Sequence, residues 1–295
     1  MDRVLVIIVT YNAQDWIHQC LNSVDMERYD AFVVDNASTD DTRYILKTEY
    51  PKAIVRLMDK NLGFGQANNI GLRYALDNGY DYVFLLNQDA WLLPDTIEKL
   101  IAAQKQHPEY WVLSPLQMNT AQGGVERTFA TYVNRFKVDI NASTIQEVGF
   151  CNAELWLITV ETLRIIGGFD TIFPHYGEDT DFLQRVTFYK GKIGILPSLK
   201  AYHEHKPPMD YNEDRMIYRT QLAFMGILKN INHSILHCTC RLLQYVLYRI
   251  LKYIYQLQFC NIKIDVWALI KAFGKFKEIK KHRDFTINKP RYLYL

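Results

Sequence analysis

Three groups of polar side chains in this 295-residue chain sit at the ends of apolar runs, with residue types that could do chemistry. Asn87, Gln88 and Asp89 follow the apolar run Val83 to Leu86. An oxygen-rich turn carrying a carboxylate can hold a divalent cation against a diphosphate; the same residues also cap ordinary turns. Glu178, Asp179 and Asp181 fall within four residues in HYGEDTDFLQR, ahead of Arg185. Acids in a first helical turn are favoured by the macrodipole whatever their function, and a carboxylate there can also take a proton from a hydroxyl. In AYHEH, His203 and His205 end a strand-like run, where a neutral imidazole can ligate a metal or lie at the surface. Earlier in the chain, Asp35 could accept a hydrogen bond from the N3–H of a uracil or thymine ring, with Thr10 and Tyr11 beside it, or cap a turn. Gly63 and Gly65 lack the Cβ that would keep backbone away from a ligand. They form no dinucleotide fingerprint, because G-x-G-x-x-G would need glycine where Asn68 stands, and no phosphate-loop G-x-x-x-x-G-K motif occurs.

The elements that must position these groups follow from periodicity. Val4 to Thr10, Ala31 to Val34, Ala53 to Met58 and Val83 to Leu86 are short apolar runs that suit strands covered on both faces. Helices are expected around Trp16 to Val24, Tyr44 to Glu49 and Ile70 to Asp77, the last after a loop spanning residues 59–71. Strands alternating with helices predict an α/β, doubly wound, mostly parallel sheet flanked by helices, with ligands at the carboxyl ends of the strands. Further on, a helix is expected over residues 92–107 and a strand over 111–114. A mobile loop or irregular hairpin follows over 118–147, then a strand over 154–158 and a helix over 160–166 stopped by Gly167 and Gly168. A helix beginning near Glu178 turns Phe182 and Val186 inward, and two short edge strands, 192–196 and 200–202, join at Pro197.

Composition limits the alternatives. With 49% hydrophobic and 22% charged residues the chain is globular. The net charge of +2 is uneven: from Lys229 onward there are 13 Lys or Arg against three acids, a net of +10, which leaves −8 for residues 1–228. Five cysteines without zinc-ribbon spacing and no signal-peptide pattern suggest a reducing, cytoplasmic setting. Leu242, Leu243, Val246, Leu247, Ile250, Leu251, Ile254 and Leu257 form an apolar stripe broken by Arg249 and Lys252, and Trp267, Ile270 and Phe273 form a weaker one. These helices either pack on the catalytic body or on a second copy in a homodimer, or they make a peripheral contact with anionic lipid at the inner face of a membrane through residues 238–295. No nucleic-acid-binding module accompanies the basic tail.

In this order and spacing VLVIIVTYN, VVDNASTDDT, NLGFGQANNIG and LLNQDA resemble the nucleotide-sugar-binding half of inverting family 2 glycosyltransferases with the GT-A fold, closest to the rhamnosyltransferase-like branch. The likeness continues through GGFDTIFPHYGEDTDFLQR to AYHEH, covering roughly residues 3–206. It implies a nucleotide-sugar-binding half (1–115) and an acceptor half (116–228), followed by a basic helical extension (229–295). It also implies transfer of a sugar, with inversion, from a nucleoside diphosphate donor such as dTDP-rhamnose or a UDP-hexose. The acceptor would be a hydroxyl of a glycan or lipid-linked glycan in bacterial surface polysaccharide synthesis. By the same resemblance Thr10, Tyr11 and Asp35 hold base and ribose, and Asn61, Gly63 and Asn69 border the nucleotide and diphosphate. Asp89 and His203 ligate Mg or Mn, Asp179 is the base, Glu178 orients the acceptor or that base, and Arg185 either supports Asp181 or reaches the diphosphate. Asn87 stands where many relatives carry an acid, so the metal motif is N-Q-D rather than D-x-D; Asn87 and Gln88 then contribute amide groups on the donor side. A nucleotidyltransferase and a non-catalytic sugar-nucleotide binder are the competing readings.

Overall fold

A computed structural model describes residues 2–120, 123–204, 212–288 and 294. The chain alternates β1 (Val4–Thr10), α1 (Ile17–Asn22), β2 (Asp30–Asp35), α2 (Thr42–Glu49), β3 (Ile54–Leu57), α3 (Phe64–Asp77) and β4 (Tyr82–Asn87). The next elements are β5 (Ala90–Leu92), α4 (Thr96–Gln106), β6 (Tyr110–Asn119), β7 (Gly124–Val125), α5 (Arg127–Phe136), β8 (Gln146–Glu147), β9 (Leu155–Thr159), α6 (Val160–Ile166), α7 (Glu178–Phe188) and β10 (Lys192–His203). Four helices close the chain: α8 (Glu213–Lys229), α9 (Ile235–Tyr255), α10 (Phe259–Gly274) and α11 (Phe276–Asn288).

The sheet runs β3-β2-β1-β4-β9-β6-β10-β5, with β7 on β6 and β8 on β10. Parallel pairing is confined to β3-β2-β1-β4 and β6-β10, while β9 enters antiparallel between β4 and β6, so the sheet as a whole is mixed. Both faces are covered, because alternate residues of β1 feed two separate cores: Leu5 and Ile7 on one side, Val4, Val6 and Ile8 on the other. That double burial explains why the strand reads as an unbroken apolar run.

Several sequence expectations are corrected. The loop placed over 59–71 ends at Gly63, where α3 begins. Its polar stretch QANN is compatible with an inward face because Asn68 bonds back to the Phe64 carbonyl and Asn69 bonds to Phe169. The irregular stretch over 118–147 contains α5, capped by Glu126, whose two carboxylate oxygens accept from the amides of Thr128 and Phe129. With Phe129 and Val133 as its only buried residues, α5 leaves little periodic signal. The expected pair of edge strands is one long strand, β10, with a register shift between Leu196 and Lys200, and it lies inside the sheet between β6 and β5.

The four last helices share a third core with the loop ahead of α7. Ile172 and Phe173 pack with Phe224, Leu242, Ala268 and Ile279. Buried charges tie the same parts together: the Lys229 Nζ lies 2.6 Å from the Asp170 carboxylate and also contacts Asp181, and His282 Nδ1 lies 2.7 Å from Asp170. Burial alone would raise the Asp170 carboxyl, but His282 and Lys229 outweigh it and hold it well below the usual range. Trp267 and Ile270 do not face inward as their spacing suggests. In α10 the buried residues are Ile264, Asp265, Ala268 and Ala272, because small side chains on that face let α10 lie close against α8.

Candidate active site

Strand register gathers the strand-end residues. Thr10 pairs with Asp35, and Val9 with Asn87, so all three lie at the carboxyl end of the parallel strands. His203 pairs with Ala90, which places it beside Asp89; Leu155 pairs with Leu86, which brings Glu154 to the same end.

A row of ionisable groups results. His203 is fully buried, its Nε2 3.2 Å from Asp89 Oδ1 and its Nδ1 3.2 Å from Glu154 Oε2. Burial disfavours the imidazolium, yet Glu154 and Asp89 outweigh that and raise its pKa to about 10. His205 lies outside the described residues. Asp179 opens α7 next in the row, half-buried, its carboxylate accepting from the Thr180 amide at 2.6 Å. Burial pushes it up to about 6; the Thr180 amide pulls the other way and Glu154 adds to the rise. Glu178 is 5% exposed, and its Oε2 has no hydrogen-bond partner among the described residues. Burial, then the neighbouring Asp179, raises it to about 8, so at neutral pH Glu178 is an uncharged acid beside an ionised one.

The donor-side residues divide into two sets. Tyr11 is 47% exposed, and Asn87 and Asp89 are partly exposed at the same edge. Others are committed to the protein itself. Gln88 grips the backbone of Tyr11, accepting from its amide at 2.7 Å and donating to its carbonyl at 3.3 Å, which pins the end of β1 to the turn after β4. Thr10 and Asp35 are fully buried. Asp35 accepts from the Thr10 hydroxyl, the Ser38 amide and Arg43 Nε at 2.6 Å, so both of its oxygens are engaged within the protein. Asn61 is exposed, and its side-chain oxygen accepts from the Asn36 amide group and from the Gly63 backbone amide. Asn69 is buried and spends both ends of its amide on the Phe169 backbone, donating also to the Tyr294 carbonyl. Of the two readings of Arg185, the pairing with Asp181 is the one the structure displays: Arg185 is fully buried, bonded to Asp181 and to the carbonyls of Ile166 and Gly168, and holds α7 against the loop before it.

Gly63 does permit a close approach, but to protein. Its φ is +79°, and a Cβ there would meet the Pro174 carbonyl at 1.8 Å. Gly65 packs the start of α3 on Phe169 and Glu178. These two glycines therefore seat the donor-side helix directly on the loop that carries Glu178 and Asp179.

Sequence reasoning missed Glu154 and Arg43. The signal for Glu154 is faint, a lone acid directly before the apolar strand β9; Arg43 reads as an ordinary surface residue of α2 until the fold lays it over Asp35.

The donor set fits a divalent cation in part. Asp89 and His203 present a carboxylate and an imidazole at the separation that two neighbouring ligands of one ion keep, roughly 3 Å for bonds of about 2.1 Å. Glu154 on the other ring nitrogen is the outer carboxylate typical of metal-bound histidine. Among the described residues no third His, Cys, Asp or Glu joins them, so further oxygens would come from the donor's diphosphate. The open pocket of about 330 Å³ between Asn22–Tyr29 and Leu92–Ile97 is lined by none of these acids.

Comparison with known proteins agrees with this architecture. Residues 5–163 match the family model "Glycosyl transferase family 2". The dTDP-rhamnosyl transferase RfbF of Shigella flexneri is 22% identical over 262 residues, covering 77% of this chain and 81% of that protein. The N-acetylglucosaminyl-diphospho-decaprenol L-rhamnosyltransferase of Mycobacterium tuberculosis is 27% identical over 240 residues, covering 70% and 76%. The glycosyltransferase GlyA of Streptococcus pneumoniae is 31% identical over 104 residues, 34% of this chain, which spans only 14% of that longer protein. Among solved structures, the mannosyltransferase PcManGT of Pyrobaculum calidifontis in complex with GDP-Man and Mn2+ superposes with a TM-score of 0.59 at 20% identity, covering 93% of this chain and 87% of that one. The family match spans more than half of the chain, through the strands that bear Thr10, Asp35 and Asn87 and through Glu154 ahead of β9, and the chain therefore belongs to glycosyl transferase family 2.

Proposed function

We propose that the chain transfers a sugar from a nucleoside diphosphate sugar to an acceptor hydroxyl with inversion at the anomeric carbon. The observation that carries this is Asp179: a half-buried carboxylate with a pKa near 6, next to a neutral Glu178 and at the end of the Glu154–His203–Asp89 row. At neutral pH Asp179 is ionised, yet basic enough to accept a proton as the acceptor oxygen attacks. The new bond joins that oxygen to the anomeric carbon, the bond to the diphosphate breaks on the opposite face, and the proton passes to Asp179. Glu178, holding its own proton, is placed to donate a hydrogen bond that orients the acceptor or Asp179. On the donor side Tyr11 and Asn87 offer exposed contacts, and Gln88 fixes the turn that carries Asp89. Asp89 and His203 would hold a divalent cation, Mg or Mn, which when bound offsets charge on the departing nucleoside diphosphate.

The names of two relatives support dTDP-rhamnose as donor and a lipid-linked glycan as acceptor, with a UDP-hexose as the second donor choice. A thermal-shift series of nucleoside diphosphate sugars with Mg²⁺ or Mn²⁺ tests the donor: at 100 times its dissociation constant a ligand stabilises by about 2.7 kcal/mol, and the absence of a shift with every donor refutes the reading. Asp179→Asn separates catalysis from mere binding. The enzyme loses turnover about 10²- to 10⁴-fold while its donor-induced shift persists; a variant with undiminished transfer rules Asp179 out as the base.

A further inference from the structure

The α9–α10 hairpin carries an apolar tip that no described part of the chain covers. Residues 251–260 are exposed except for the half-buried Tyr253, so the tip projects beyond α8, against which both helices pack lower down. It presents Leu251, Ile254, Tyr255, Leu257 and Phe259, with Trp267 on the adjoining face of α10; Tyr255 is 90% exposed and Leu257 76%. Large apolar side chains clustered in this way mark an interaction surface rather than the scattered exposure of an ordinary protein. Among the described residues no helix is long and apolar enough to cross a membrane.

Charge identifies the occupant. Between Leu236 and Lys277 the only carboxylate is Asp265, which is buried against Arg249. The exposed charges over that span are all positive, Arg241, Lys252, Lys263, Lys271, Lys275 and Lys277; Lys263 lies against Glu213 and Lys275 against Glu278. Lys252 stands five residues before Leu257, roughly 7 Å along a helix, and Lys263 a similar distance behind Phe259. An apolar tip buried about 5–10 Å into a membrane interface would bring these lysines to the headgroups, with the Tyr255 ring in the interfacial region such rings prefer.

We infer that the tip of the α9–α10 hairpin seats this protein on an anionic lipid bilayer. The inference uses this surface alone and does not depend on the transferase reading, so its test reads no activity. The full chain is floated with vesicles of phosphatidylcholine, and with vesicles of phosphatidylcholine and phosphatidylglycerol in equal amounts. Recovery with the anionic vesicles is expected, at least tenfold above the neutral ones. Leu257→Asp with Phe259→Asp should abolish it, and Lys252→Glu should weaken it roughly 20- to 30-fold, since each basic residue near an anionic surface contributes about 1 kcal/mol and a reversal counts nearly twice. Both changes fall on exposed positions, and circular dichroism confirms the fold. Equal recovery of parent and tip variant overturns the proposal. So does a parent that fails to float but self-associates in sedimentation, with the tip variant monomeric, which would assign the face to a second copy of the chain.

Discussion

Glu178 provides the sharpest test of the site's electrostatics. Its carboxyl is buried with one oxygen lacking a partner among the described residues, and its pKa stands near 8 against about 4.3 in an unfolded chain. Because the folded value is the higher, the folded state keeps the proton where the unfolded state has released it. Stability is therefore greatest below pH 4 for this group and falls as pH rises from about 4 towards 8. At pH 7 the loss is about 3–4 kcal/mol, from 1.36 kcal/mol for each pH unit between 4.3 and 7. Glu178→Gln keeps the shape and the donor of the neutral acid but has no proton to lose. Its stability relative to the parent should rise by that amount between pH 4 and pH 7, shifting the thermal midpoint at pH 7 by roughly 6–12 °C. Urea denaturation of both proteins at the two pH values measures the difference directly. A gap between parent and variant that does not change with pH would refute the assignment of a buried neutral carboxyl here.

The same electrostatics give Asp179 a kinetic signature: kcat/KM should fall about tenfold per pH unit below pH 6, whereas an acid limb near pH 4 would show that the base is not desolvated. Glu154→Gln removes the carboxylate behind His203 and should weaken Mn²⁺ affinity by about 10- to 100-fold in a direct titration, with the fold intact. Lys229→Met removes the buried cation that Asp170 and Asp181 share, leaving His282 and Arg185 as their remaining ion-pair partners, and should cost about 3–5 kcal/mol in denaturant unfolding, part of it recovered by adding Asp170→Asn. Truncation before α9 should fail to give a folded protein, because it removes His282 from Asp170 and opens the core around Phe173 and Phe224.

Most of the architecture was legible from the residues. Continuous apolar runs announced the central strands, and polar residues at their ends marked one edge of the sheet, because a strand buried on both faces has only its ends free to carry polar groups. The mixed character of the sheet was not legible, since β9 is as apolar as its parallel neighbours and nothing local records its direction. The motif residues proved harder to sort. Gln88, Asn69 and Arg185 carry donors that could serve a ligand, and each instead bonds backbone or a buried acid of its own chain. Asp179, Glu178, Asp89 and His203 were chosen by the order of their motifs, but the shifts at Asp179 and His203 depend on burial and on Glu154, which lies 49 residues from His203 in sequence. The sequence by itself determined which chemical groups exist and that they fall at strand and helix ends. Only the tertiary structure decided which polar groups are consumed within the protein, because desolvation and hydrogen bonding are settled by neighbours that register and packing supply.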